Sequence, residues 1–309
     1  MSTARLSGVG GSIDGVGHPG TQQLGLFAEP VRLFVCTPSK LAAYEECPRR
    51  YRYSYVDRPS PAKGPPWAHN SLGASVHTAL RSWFDLPPAR RTPAVLGTLL
   101  KATWVREGYR DEEQERAAFE LARSWLTRYV SSLEPDAEPL AVERTVGART
   151  ATLALSGRVD RIDDVDGELV IVDYKTGRTG LSTDDARGSR AMALYAFAAG
   201  KLFRRSCRRV ELHHLPTATV AAFDHTEASL ARHVQRAEQT AADVQEAERA
   251  MAGGADPDDA FPATPGAMCG WCDFRRSCPA GAARSGQESW SAVERALAGS
   301  ADGEIDSGP

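Results

Sequence analysis

Apolar residues follow two periods along this chain, one typical of helices and one typical of strands. In 112–133 they recur every three or four residues, which predicts an amphipathic helix. In 141–175 short β-branched runs replace that period and predict strands. We expect Ser39 and Ser71 to cap the first two helices. The predicted helices are 37–47, 72–84, 93–107, 112–133, 184–203 and 226–251, and the predicted strands are 141–146, 151–165, 168–175, 209–215 and 218–224.

The order of these elements predicts a mixed α/β domain with helical elaboration, because a central group of strands lies between groups of helices. Residues 1–33 are rich in Gly and Ser and have no apolar period, so we predict a disordered arm there. The ordered domain is predicted to cover 34–280. Residues 281–309 are predicted to form a flexible tail with a short helix near 290–297.

Length and charge exclude several classes of protein. The 309 residues fit one large domain or two modest ones. A net charge of −3 argues against a protein that coats DNA through its overall charge, but it does not exclude a local basic groove. No run approaches the roughly 20 apolar residues of a membrane span, and no secretory pattern begins the chain, so we expect a cytoplasmic protein with no membrane partner. No GxxxxGK[ST] motif occurs, so any ATP-driven unwinding has to come from another chain.

One predicted hairpin carries the most informative chemistry. Asp166-Gly167 is a strong signal for a two-residue turn, because a type I′ turn needs positive φ at both positions. The numbers of facing residues then sum to 333, which puts Asp160 directly opposite Asp173. Their Cβ atoms are expected about 4.5–5.5 Å apart. Lys175 shares their face, since it lies two residues after Asp173.

Two opposed carboxylates destabilise a strand pair, and the apolar run 169–172 indicates a buried strand in which the repulsion is stronger. A divalent cation with oxygen ligands would explain why both are kept. The neighbouring ammonium can hold an attacking water or stabilise an oxyanion, and only five of the 37 basic residues are Lys. The alternative is a solvated hairpin with incidental acids, which we prefer for Asp163, Asp164 and Asp166.

These residues resemble the core of the PD-(D/E)xK nucleases, and in particular the RecB-family exonucleases, in which GxxDRxD precedes a VDYKTG-like strand. The matching segments here are 157–163 and 172–177. The resemblance implies a restriction-endonuclease-like core, which is a central mixed β-sheet flanked by helices. It also implies that Asp160, Asp173 and the backbone carbonyl of Tyr174 bind Mg²⁺ or Mn²⁺, and that Lys175 positions the attacking water.

Two further positions resemble motifs of the same family. His77, in the segment GASVHTAL, resembles the histidine of an N-terminal helix that approaches the metal and completes the site. Tyr195 resembles the tyrosine of a QxxxY motif, but Ala191 stands where that motif has Gln. Without the resemblance, His77 is more typical of a packed or surface residue and Tyr195 of a helix core. The missing Gln bears on how a DNA strand is positioned.

The six cysteines suggest a second metal centre. Cys269, Cys272 and Cys278 form a CxxCx₅C segment, whose spacing favours a metal or cluster over a disulfide. Tetrahedral sulfur coordination needs a fourth thiolate, and Cys47 is the best candidate. This arrangement resembles the 4Fe-4S cluster of AddB-type relatives, which ties the two ends of the domain together. Zinc is the alternative occupant. The remaining Cys36 and Cys207 are expected to be ordinary buried thiols.

The segment 49–55 alternates arginines with tyrosines and has two interpretations. Phosphate contacts and base stacking on such a segment can hold single-stranded nucleic acid. Alternatively, Tyr51 and Tyr55 pack into the core while the arginine stems lie along the surface.

Taken with the resemblance, the sequence predicts a metal-dependent DNA nuclease that acts on DNA ends or single strands in repair or recombination. A separate helicase subunit is a candidate partner. The first alternative is a non-catalytic DNA-binding or scaffold subunit on the same fold. The second is a zinc-binding regulatory protein whose acids are incidental.

Overall fold

The computed structural model of the chain describes residues 33–134, 138–177 and 180–303. Within them one mixed sheet is flanked by helices, so the predicted α/β class is confirmed. The strands are β1 (Phe34–Cys36), β2 (Ala141–Arg149), β3 (Leu153–Val165), β4 (Glu168–Lys175), β5 (Cys207–His214) and β6 (Thr219–Asp224). The helices are α1 (Pro38–Glu46), α2 (Pro48–Tyr51), α3 (Ala68–Phe84), α4 (Pro93–Ala102), α5 (Glu112–Ser131), α6 (Thr183–Gly188), α7 (Arg190–Phe203), α8 (Glu227–Ala252), α9 (Pro257–Ala260), α10 (Pro279–Ala282) and α11 (Ser291–Gly303). Short 3₁₀ and π turns lie at Pro88–Arg90, Ala267–Trp271, Arg275–Ser277 and Arg52–Val56.

The predicted β3–β4 hairpin is confirmed. Asp166 and Gly167 have φ values of 52° and 89°, the left-handed region that a two-residue type I′ turn requires. Val165 faces Glu168, and the pairing runs in the predicted register. The register of the strand pair therefore follows from this one turn.

The sheet opens along one edge of β3. Its start pairs in parallel with β1, its end pairs antiparallel with β4, and β2 runs along the opposite edge. The partners of β1 are Leu153–Leu155, and the last pair with β4 is Arg161 with Val172. Residues 156–159 therefore have a strand neighbour only on the β2 side. β4 continues past this point to Lys175 with β5 as its partner, so its end and the end of β1 flank an opening.

Two apolar clusters cover the two faces of the sheet. One includes Leu169 and Ile171 with α7 and α8, and the other includes Val170 and Val172 with α3, α4 and α5. Successive side chains of a strand point to opposite faces, so β4 is buried on both sides. This explains why its sequence is a continuous apolar run. No described helix is long and apolar enough to cross a membrane.

Several predicted helix boundaries were wrong. Thr37, not Ser39, caps α1, because its Oγ1 accepts the Lys40 N–H at 3.1 Å. α3 begins three residues before Ser71, which is buried inside the helix. The predicted helix 93–107 ends at Ala102, since Val105 turns back to donate its N–H to Ser75 of α3.

The predicted helix 184–203 is interrupted. Ser189 has extended backbone after Gly188 and caps α7 with its hydroxyl, which separates α6 from α7. The short strand β1 was missed, because three residues carry no period.

The two ends of the chain were predicted to be disordered or flexible. The predicted arm, apart from its last residue, lies outside the described residues, as do 304–309. The segment after 281 contains α11, whose Val293 is buried against the α3–α5 cluster.

Candidate active site and cysteine pocket

Asp160 and Asp173 lie at the opening of the sheet. The register that pairs Arg161 with Val172 places Asp160 opposite Asp173 one step further along. At this step a backbone-to-side-chain hydrogen bond replaces the backbone pairing of the two strands, because the Tyr174 N–H donates to Asp160 Oδ2 at 2.8 Å. The two carboxylates therefore face one another where the backbones of β3 and β4 stop pairing.

Lys175 lies beside the second carboxylate. Its Nζ is 2.7 Å from Asp173 Oδ2. That oxygen is buried and makes no hydrogen bond of good geometry to a described residue, so the ammonium is its close charged contact. Burial raises the pKa of Asp173, and the charge of Asp160 adds to this while Lys175 opposes it. A buried carboxylate that has one ammonium contact and faces a second carboxylate is suited to bind a cation.

His77 reaches the same site from α3. Its Nδ1 lies 3.2 Å from Asp160 Oδ1, and its ring packs edge-on against Tyr174. Burial lowers the pKa of His77, but the hydrogen bond and charge of Asp160, with further charge from Asp173, outweigh burial and raise it. The predicted group of His77, both aspartates and Lys175 thus meets in one place.

Tyr195 approaches from α7 on the other side. Its ring lies so close to Gly157 that a Cβ at that position would overlap it. Burial, with the charges of Asp173 and Asp160, raises the pKa of Tyr195 to about 12. Its hydroxyl is therefore protonated at neutral pH and available as a donor at the edge of the site.

Arg190, which precedes Ala191, makes its contacts away from the candidate site. Arg190 forms an ion pair with Glu45 of α1 and lies 3.5 Å from the hydroxyl of Thr240 on α8. It joins three helices, so its guanidinium does not take the place of a Gln at Ala191.

Glu143 of β2 belongs to the site and was not predicted. Its carboxylate, His77 and Asp160 offer ligand atoms that all lie within 4.8 Å of one another. Its φ of 48° is in the left-handed region, which costs a residue with a side chain about 1–3 kcal/mol. Burial raises the pKa of Glu143, while Arg158, whose Nε is 2.6 Å away, opposes the rise. Only knowledge of the β2–β3 register could have identified Glu143 from the sequence.

An open cavity of about 490 Å³ is lined by His77, Glu143, Asp160 and Tyr195, but not by Asp173 or Lys175. Arg81 and Arg158 give it positive charge, and the hydroxyls of Thr37, Ser39 and Thr78 line its wall. Cations and hydroxyls beside a carboxylate cluster suit a phosphodiester whose phosphate bridges metal and protein. The donor set, which is oxygen-rich with one imidazole, fits Mg²⁺ or Mn²⁺.

The opposite face of the same strands holds a buried polar network. Arg161 donates to Tyr129 at 3.0 Å, to Tyr174 at 3.4 Å and to Asp163 at 2.8 Å. Tyr129 in turn bonds to His213 Nδ1 at 2.9 Å. Asp163, expected to be an incidental acid, is thus the counter-ion of a buried guanidinium.

The four predicted cysteines line one pocket together with Arg50 and Arg275. Cys47 lies between α1 and α2, and the Thr264 N–H donates to its sulfur at 3.4 Å. Among the described residues, no three cysteine sulfurs lie within 4.8 Å of one another. Tetrahedral zinc with Zn–S near 2.3 Å would hold its sulfurs about 3.8 Å apart. These four described cysteines therefore share a pocket, but their sulfurs are not clustered as those of a metal-bound set are.

The other two cysteines lie apart from that pocket. Burial raises the pKa of Cys36 to about 11 and of Cys207 to about 12, so both are neutral buried thiols. In the segment 49–55, Tyr51 is buried, and Arg49 and Arg52 both form ion pairs with Asp258. This favours packing over nucleic-acid binding, but two details of the packing interpretation were wrong. Tyr55 is exposed, and Arg49 and Arg52 are buried because their ion pairs with Asp258 hold them there.

Known proteins resemble this chain in sequence or in fold. The sequence matches the PD-(D/E)XK nuclease superfamily over residues 35–279. A crystal structure named "Putative exonuclease" from Eubacterium rectale is 12% identical with a TM-score of 0.42, and the alignment covers 71% of this chain and 82% of that one. The crystal structure of SSO0001 is 13% identical with a TM-score of 0.36, covering 80% and 86%. No curated protein matches the sequence. The family match spans the whole carboxylate site and all four pocket cysteines, and with the mixed sheet flanked by helices it makes this chain a member of the PD-(D/E)XK nuclease superfamily.

Proposed function

We propose that this chain is a Mg²⁺- or Mn²⁺-dependent DNA nuclease that hydrolyses phosphodiester bonds at DNA ends or in single strands during repair or recombination. The observation that carries the proposal is the meeting of His77, Asp160, Asp173 and Lys175 at the opening of the sheet. The RecB-like motif supports the finer assignment to an exonuclease.

Each residue has a role that its position suits. Asp160, Asp173 and the carbonyl of Tyr174 would hold the cation, and His77 would complete the site. A bound divalent cation stabilises the charge that develops on the phosphate. Lys175 Nζ, which is held by Asp173 at 2.7 Å, orients the attacking water with its N–H donors. The Tyr195 hydroxyl would donate a hydrogen bond to the strand being cut.

We also propose that Cys47, Cys269, Cys272 and Cys278 hold a 4Fe-4S cluster. The four cysteines line one pocket, and Arg50 and Arg275, which line it too, would offset the negative charge of four thiolates. Cys47 is 222 residues from Cys269 in the sequence, so the cluster closes a very long loop and joins the two ends of the domain. Iron with acid-labile sulfide in the purified protein supports this, and zinc contradicts it.

A non-catalytic DNA-binding or scaffold subunit is the second candidate. It is favoured by Ala191 in place of the expected Gln, since Arg190 is held by Glu45 and does not compensate. A complete set of aspartates and lysine argues against it. Helicase activity, where needed, would come from a partner chain.

The test is cleavage of end-labelled single- and double-stranded DNA by anaerobically purified protein with Mn²⁺ or Mg²⁺. Lys175→Ala should abolish cleavage, whereas Lys101→Ala, an exposed lysine on α4, should not. Cleavage that needs the metal and Lys175 supports the nuclease. A folded, cluster-loaded protein that binds DNA without cutting it favours the scaffold.

A further inference from the structure

A second cavity, apart from the one beside the carboxylates, lies where the chain leaves β4. It measures about 460 Å³, which falls within the roughly 300–1,000 Å³ of small-ligand pockets. Its floor is apolar, since Trp125 of α5 and Val293 of α11 line it and are buried. Met268 at its edge is 59% exposed. An exposed methionine beside a ring-lined cavity suits a flat, largely apolar ligand. We call this cavity, whose wall is Trp271, the Trp271 pocket.

The indole that forms this wall is held in place by neighbouring rings. The Trp271 ring lies 5.4 Å from the Trp67 ring and 5.7 Å from the His69 ring, which it meets edge-on. Trp67 is fixed in turn, because its Nε1 donates to Asp273 Oδ1 at 2.8 Å. A ring that is oriented before a ligand arrives loses little conformational freedom on binding. The pocket therefore offers a rigid surface for stacking.

Positive charge lies at the same pocket. The guanidinium of Arg295 on α11 is 5.0 Å from the centre of the Trp271 ring, and its side chain is exposed to solvent. α11 is anchored beside it, because Glu294 accepts from Arg110 at 2.6 Å. An aromatic ring for a base and a cation for a phosphate are the two parts of a site for single-stranded nucleic acid.

Helix α3 connects the Trp271 pocket to the carboxylate site. His69, Gly73 and His77 recur every four residues, so they lie along one face of the helix. His69 lines the Trp271 pocket, whereas Gly73 and His77 line the cavity beside the carboxylates. Thr176, which follows Lys175 and lines the Trp271 pocket, lies against Gly73, since a Cβ there would be 3.4 Å from its Oγ1. Eight residues of helix span about 12 Å, a distance that a DNA strand covers within a few nucleotides.

We propose that the Trp271 pocket binds an unpaired nucleobase of the DNA strand being cut, stacked on Trp271, while Arg295 contacts a neighbouring phosphate. A base inside a duplex is stacked and paired, and entering a protein pocket would require it to leave the helix. The pocket therefore selects single strands and frayed ends over intact duplex. The inference rests on the proposed function, because it names the form of DNA that the nuclease site takes.

The test is binding of fluorescently labelled DNA to the full chain, measured by anisotropy with divalent cations left out. The probes are a single-stranded oligonucleotide, an abasic strand of the same length and a blunt-ended duplex. Trp271→Ala should bind the single strand about 5- to 150-fold more weakly, the range for loss of one stacked base, and should bind the other two probes as the wild type does. Trp271→Phe should keep most of the affinity. Trp104→Ala, which removes a half-buried tryptophan outside both cavities, should bind every probe normally.

A second variant covers the case in which Trp271→Ala misfolds, since Trp271 lies between Cys269 and Cys272. Ala296→Leu narrows the Trp271 pocket from α11 and should weaken binding of the single strand alone. If both Trp271→Ala and Ala296→Leu bind the single strand normally, or if Trp271→Ala weakens the abasic strand equally, no base stacks there. The pocket is then left to another apolar occupant, such as a side chain of a partner protein. In a wild-type protein that cleaves DNA, that result overturns this inference alone. A folded wild-type protein that binds no probe and cleaves none with Mn²⁺ overturns the proposed function as well.

Discussion

The two faces of the β3–β4 strand pair both carry charged side chains, but only one of them holds two opposed carboxylates. On the face toward Tyr195, Asp160 and Asp173 oppose each other, and a buried oxygen of Asp173 has no good hydrogen bond within the described structure. On the other face Arg161 is bonded to two tyrosines and to Asp163. Removing one partner of a buried ion pair destabilises a fold, whereas opposed carboxylates that persist indicate a site for a ligand.

Tyr174 connects the two faces. Its backbone N–H holds Asp160 on the site side, while its hydroxyl accepts from Arg161 within the network. The network therefore fixes the strand whose neighbouring residues carry the proposed chemistry. This separation predicts that changes on one face affect activity and changes on the other affect stability.

The largest expected effect is a loss of cleavage that distinguishes Asp173 on one face from Asp163 on the other. Asp173→Asn should lower cleavage by at least about 100- to 1000-fold, because it removes a carboxylate proposed to hold the cation. Its unfolding free energy should stay the same or rise, because the repulsion with Asp160 is relieved. Cleavage rates and urea denaturation of the same preparations measure both.

Asp163→Asn is the control, because it changes the same residue type on the opposite face. It should keep cleavage and lose about 1–3 kcal/mol of stability, since the buried Arg161 loses its counter-ion. If both variants lose activity equally with no change in stability, the two faces do not have separate roles.

Arg161→Met should lower the unfolding free energy by about 3–5 kcal/mol, the range for breaking a buried ion pair from one side. It leaves Asp163 and the hydroxyls of Tyr129 and Tyr174 without their shared donor. Arg158→Met changes the largely exposed neighbour on the site side, and its loss should be below about 1 kcal/mol. Urea denaturation compares the two, and equal losses would contradict the network.

Gly157→Ala sharpens the comparison on the site side. The added Cβ would overlap the Tyr195 ring, so we expect a loss of about 1–3 kcal/mol from overpacking. In the Tyr195→Ala background the same change should cost much less, because the obstructing ring is gone. A double-mutant cycle in thermal unfolding measures this coupling. If the stability losses of the two single variants simply add in the double variant, the Tyr195 ring does not contact Gly157 closely.

The hairpin was the most predictable part of the site. Asp166-Gly167 sets the register of β3 and β4, and that register is enough to bring Asp160, Asp173 and Lys175 onto one face. Asp160 and His77, by contrast, come from different elements, and only the family resemblance suggested that they would meet. Local turn chemistry thus predicted the strand pair but not the helix that completes it.

Glu143 and the Arg161 network could not be predicted, for physical reasons. The connection between β2 and β3 contains Thr150 and Thr152 and no Gly, Asn or Asp, so no turn signal sets their register. The partners of Arg161 are distant in sequence, with Tyr129 lying 32 residues away and His213 reaching the network through it. Such contacts depend on how helices pack on the sheet, and a single sequence does not encode that in any local pattern.

The smallest expected effect is a change of folding stability with pH, which comes from Glu211 beside the buried network. Hydrogen bonds from His213 and Arg209 lower the pKa of Glu211 to about 2, although burial acts against them. The folded state therefore binds fewer protons than the unfolded state between the ordinary glutamate pKa of 4.5 and 2. The stabilisation from Glu211 is complete above this window and is lost as the pH falls through it. In urea denaturation at pH 5, 4 and 3, Glu211→Gln should lose stability less steeply than the wild-type protein as the pH falls. If the stability of the two proteins falls equally with pH, the Glu211 carboxylate is not held by His213 and Arg209 as described.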